Sequence, residues 1–134
     1  MFTEFEVWNL FWLASLANAA WMAGLAFLVW VTFRAANMVG ESDNMFSKAV
    51  VTVFCLVIDY QLNFTLAAVE WANNNVAGAF AFLQSSGTEV SEVAQRFIEY
   101  WSPGTPFNLM PDVVGGLLVL TILLMQMSSI WMKK

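Results

Sequence analysis

Charged residues interrupt this chain at wide intervals, and the uncharged stretches between them set its elements. Val7 to Phe33 is 27 residues without a charge, closed by Arg34. At 1.5 Å per residue it would make about 40 Å of helix, more than a bilayer core needs. Trp8 and Trp12 near one end and Trp30 near the other sit where aromatic belts meet the two interfaces. Ala35 to Lys48 is a short polar connection in which Gly40, Ser42, Asp43 and Asn44 favour a chain reversal, with Ser47 placed to cap the next helix. Ala49 to Val69 carries a single charge, Asp59, at its midpoint. An intramembrane carboxylate costs about 2.5–3.5 kcal/mol on insertion scales. The Val, Ile, Leu and Phe side chains around it, at about 0.3–0.6 kcal/mol each, offset that cost. Val113 to Met132 is again uncharged, capped by Asp112 and followed by Lys133-Lys134.

Between the second and third runs the pattern changes. Trp71 to Thr88 carries Asn73-Asn74-Asn75, so the second helix either continues past Trp71 or gives way to an apolar piece, Val76 to Leu83, too short to span. Glu89 to Trp101 has helical periodicity: Val90, Val93, Phe97 and Trp101 form one stripe, widened by Ala94 and Ile98, with Glu89, Glu92, Arg96 and Glu99 opposite. Thr88 is its expected N-cap, and the helix is expected to lie on a membrane surface or against a partner. Ser102 to Pro111 holds all three prolines and reads as a loop.

The fold class predicted is therefore all-α and integral to a membrane: one domain over residues 1–134, three transmembrane helices at about 7–33, 49–69 and 113–132, and a short amphipathic interfacial helix at about 89–101 in the outer loop. Composition supports it. The chain is 60% hydrophobic and 11% charged, against about 25% charged for soluble domains. The acidic start of the chain and the length of its first apolar run point to a retained helix, not a cleaved signal.

Basic residues set the expected orientation. One side, with the N-terminus and residues 70–112, has only Arg96; the other has Arg34, Lys48, Lys133 and Lys134. The expectation is an outer N-terminus and 70–112 loop, with the 35–48 loop and the C-terminus in the cytoplasm of a bacterial-type inner membrane.

Absences limit the chemistry. With no histidine and one cysteine, Cys55, a histidine-ligated metal, a Ser-His-Asp or Cys-His pair, a disulfide within the chain and an iron–sulfur cluster are all excluded. No basic patch offers a nucleic-acid footprint. Met125, Met127 and Met132 do not share one helix face, which argues against a copper(I) thioether site. The expectation is no enzyme activity of its own, no cofactor beyond structural lipids, and no metal.

Two features remain. Asp59 shares a stripe with Thr52, Cys55 and Asn63, an intramembrane polar contact suited either to joining helices or to moving a proton or ion. Ala17, Ala20 and Gly24 form a small-residue stripe that permits close helix packing. Together they favour a non-catalytic accessory subunit whose helices pack against other membrane subunits. The alternative is a homo-oligomeric pore or ion or proton channel lined by the Asp59 stripe. Its three-span arrangement is similar in topology, though not in any residue motif, to one class of phage holins.

Overall fold

In the computed structural model, which describes residues 3–132, the chain is all-helical. Four helices follow one another: α1, Glu4–Gly40; α2, Met45–Ser85; α3, Glu92–Tyr100; and α4, Val113–Trp131. No strand occurs among the described residues. α1, α2 and α4 are each long and apolar enough to cross a membrane. Their 37, 41 and 19 residues correspond to about 56, 62 and 28 Å. Only α4 is matched to a core of about 30 Å; α1 and α2 are roughly twice that length.

Several boundaries differ from expectation, each for a local reason. The 35–48 connection shrinks to the four residues between α1 and α2, because the helices carry on past their apolar runs. Asn44, not Ser47, caps α2: its Oδ1 accepts from the Ser47 N–H at 3.1 Å. α2 continues unbroken through the three asparagines to Ser85. It ends where Gly87, at φ 86°, takes the left-handed turn that lets the Thr88 N–H reach back to Leu83 O and the Gly87 N–H to Gln84 O. α3 begins three residues later than expected, since Ser91 and not Thr88 is its N-cap, accepting from the Ala94 N–H. Asp112 caps α4 as expected, accepting from the Gly115 N–H at 2.8 Å. A Cβ on Gly115 would stand 2.7 Å from that carboxylate oxygen, so a larger residue there would have to displace the capping side chain. The start of α1 is closed by a reciprocal pair: Thr3 Oγ1 accepts from the Glu6 N–H while the Glu6 carboxylate accepts from the Thr3 N–H.

The chain divides into two compact units, to both of which α1 and α2 contribute. The first takes α1 as far as Ala20 together with 67–108. Its core is Val7, Phe80, Leu83, Val90 and Ala94, with Trp8 and Phe97 packed on it. The Trp8 ring lies 4.7 Å from Phe80 and 5.6 Å from Phe97. α3 thus turns its apolar side onto the chain's own α1 and α2. The Glu4 carboxylate fastens the arrangement by accepting from the Ser91 N–H and hydroxyl and from the Trp8 indole. Asn74 Oδ1 accepts from the Ser102 N–H, holding the proline-rich loop to α2.

The second unit joins Trp21–Leu66 to the chain from Leu109 onward. α1 and α2 run antiparallel here, with α4 packed against both. Trp21 Nε1 donates to Thr65 Oγ1 at 3.1 Å, Ala36, Cys55 and Ile130 form a small buried core, and Trp131 Nε1 donates to Thr52 Oγ1 at 3.1 Å.

Candidate functional site

The most unusual chemistry in the second unit is a buried polar knot in an apolar setting. Three helices each supply one member. Thr32 of α1 and Gln126 of α4 are fully buried, and Asp59 of α2 is 3% exposed. Gln126 Nε2 donates to Thr32 Oγ1 at 2.7 Å and to Asp59 Oδ1 at 3.3 Å. The Thr32 hydroxyl donates in turn to the Val29 carbonyl at 2.6 Å. Asp59 Oδ2 and Gln126 Oε1 are buried with no hydrogen-bond partner, which is costly in a low-dielectric interior.

No cation of the described chain compensates Asp59. The exposed Arg34 guanidinium lies 5.8 Å from the centroid of the Trp30 ring, and Lys48 Nζ lies 6.0 Å from that of Trp131. Lys133 and Lys134, counted in the orientation argument, lie outside the described residues. No group of three carboxylates or thiols fit to hold a metal occurs among the described residues.

The stripe read from sequence is present on α2, but its members serve separate contacts. Asp59 meets Gln126, whose amide also donates to Thr32. Cys55, one turn away, packs against Ala36 and Ile130 as a small apolar group. Asn63 Nδ2 donates to the Leu109 carbonyl at 3.0 Å, fixing the segment ahead of α4. Thr52 donates to Lys48 O at 2.8 Å and accepts from Trp131. Thr32 and Gln126 were not among the expected site residues. Gln126 is the only amide in α4, which is the one signal in the sequence that could have singled it out.

The other expected residues separate by exposure. Ala17, Ala20 and Gly24 are all exposed, and a Cβ built on Gly24 would meet nothing within 4 Å. Of the α3 stripe, Val90 is buried and Phe97 and Trp101 are half-buried, whereas Val93 is exposed. At about 100° of helix rotation per residue Val93 lies roughly 120° from the centre of the face that Ala94 and Ile98 mark, outside it. In the first unit an open apolar groove of about 460 Å³ runs between α1 and α2, lined by Leu10, Phe11, Ala14, Val76, Ala79 and Phe82 among others. It holds no group able to act as nucleophile or base.

No protein-family model, curated protein or solved structure matches this chain.

Proposed function

We propose that this chain is a non-catalytic accessory subunit of a larger integral-membrane complex, crossing the bilayer three times and packing α1 against neighbouring subunits. The observation that carries the reading is the outward small-residue stripe of Ala17, Ala20 and Gly24, which the chain's own helices leave open. Small residues four apart let two helix backbones approach closely, and such approach drives helix association where hydrophobicity cannot. Only 11% of the most apolar stretch of α1 is buried within the chain, and 11% of that of α4, against 28% for α2. The apolar stretches of α1 and α4 thus leave most of their residues unburied by the chain itself. Tyr60, beside Asp59 on α2, is 57% exposed. At that depth lipid tails offer its hydroxyl no partner, while a neighbouring subunit can.

In this reading the N-terminus and residues 70–112, which include the end of α2 and all of α3, face outward, on the asymmetry of basic residues. α3 lies at the outer interface with Glu92, Arg96 and Glu99 toward water, and structural lipids cover the remaining apolar surface. The compartment that fits is a bacterial-type inner membrane. The burial of Asp59 between α1 and α4 favours this role over a pore lined by the Asp59 stripe, which would turn that carboxylate toward a lumen.

Mild detergent extraction from native membranes should give a discrete particle in which this chain co-purifies with other polypeptides. Ala20→Leu with Gly24→Leu should release them while the chain stays helical. A monodisperse particle of this chain alone would overturn the reading.

A further inference from the structure

The contact between Asp59 and Gln126 leaves one buried acceptor on each side chain without a donor. Gln126 commits both hydrogens of its amide nitrogen, one to Thr32 and one to Asp59 Oδ1. The Thr32 hydroxyl hydrogen goes to Val29. The two atoms left over, Asp59 Oδ2 and Gln126 Oε1, are both acceptors, and both are buried without a partner. The knot is thus short of one donor hydrogen.

A carboxylic acid and a primary amide that face each other form two parallel hydrogen bonds, N–H to the acid's carbonyl oxygen and O–H to the amide oxygen. The first exists here. The second needs a proton on Oδ2, and that single proton would satisfy both orphaned atoms. Ionised, Asp59 would instead set a charge beside the bare amide oxygen, with no counter-charge near.

We propose that Asp59 is a proton-binding site: it takes one proton from water onto Oδ2 and donates it to Gln126 Oε1, so that protonation closes the α2–α4 contact and its loss opens it. The surroundings leave this carboxyl in sole control. On α1, the nearest charged residue, Arg34, is exposed over Trp30. On α4, no charged residue lies between Asp112 and Met132. On α2, Cys55 is the only other titratable group in the buried cluster, Tyr60 is exposed, and Lys48 stands over Trp131. The site is internal to the chain and holds whether or not the partner reading does.

Infrared spectroscopy of the full chain in lipid vesicles tests it, at neutral pH and in buffers whose cation is either sodium or choline. The expected result is a protonated-carboxyl C=O band in both buffers that is missing from Asp59→Asn and gives way to carboxylate bands at alkaline pH. Gln126→Leu should shift the band to higher frequency, because the acid loses its acceptor. Asp59→Asn should fold normally, since its Nδ2 places a permanent donor where Oδ2 stood. A carboxylate signal at neutral pH would overturn the proposal, as would an acid band that disappears when sodium replaces choline. So would an acid band unmoved by Gln126→Leu, or an Asp59→Asn chain that fails to fold.

Discussion

Gln126→Leu is the sharpest perturbation of the three-helix contact, because leucine keeps most of the volume and removes only the amide. Two interhelical hydrogen bonds disappear, at 2.7 and 3.3 Å. At roughly 0.6–1.7 kcal/mol each in a bilayer, they amount to about 1–3 kcal/mol. Asp59 is then left buried with no donor, which adds about 1–3 kcal/mol. The single substitution should therefore destabilise the chain by about 2–6 kcal/mol. Asp59→Leu together with Gln126→Leu removes both polar groups and leaves only Thr32, whose hydroxyl is already satisfied by Val29. The double variant should return to within about 1 kcal/mol of the wild type, since replacing both partners of a buried pair by apolar groups is nearly neutral. Equilibrium unfolding in mixed micelles, followed by helicity, gives the three differences needed for the cycle. Costs that simply add, with the double variant as unstable as the two singles combined, would refute the idea that these side chains depend on each other.

Three further expectations rest on separate contacts. Glu4 precedes the uncharged run, and its carboxyl is held below the usual range first by the Ser91 hydroxyl, then by the Ser91 N–H. Its hold on α3 should be complete at neutral pH and fade as pH falls through and below the ordinary glutamate range, seen as faster hydrogen exchange in α3; an unchanged acid response in Glu4→Gln would contradict this. Gly87→Ala, forced into a left-handed conformation at φ 86°, should cost about 1–2 kcal/mol in the same unfolding measurement. For orientation, cysteine at the exposed Ser86 in a Cys55→Ala background should react with an impermeant thiol reagent from the outer side, and protection until the inner face is opened would reverse the topology.

Much of this fold was legible because its elements are written in charge-free runs. Val7 to Phe33 lies within α1, and Asp112 begins α4 where a lone acidic residue meets an apolar run. Local propensity misled where tertiary contacts decide. The three asparagines leave open whether the second helix continues, and the structure takes the continuous reading because Asn74 is buried and spends its side chain on Ser102. Thr88 looked like the α3 cap, but Ser91 is the residue that can serve Ala94 and Glu4 together. The candidate site was half legible. Asp59 stood out as a charge among apolar neighbours, whereas its partners came from other helices, and no spacing along one helix reveals which distant residue it meets.

The separation of Asp59 from its amide partner also bears on how the protein is made. Gln126 lies 67 positions beyond Asp59 along the chain. At a synthesis rate of about 5–20 residues per second, Asp59 emerges roughly 3–13 s before that side chain exists. During this interval α1 and α2 can pair as a hairpin across their four-residue turn, but the amide that donates to both Thr32 and Asp59 in the folded chain is still missing. Until α4 is made, the Asp59 carboxyl therefore lacks the amide donor that the folded chain gives it, so this three-helix contact is among the last to form.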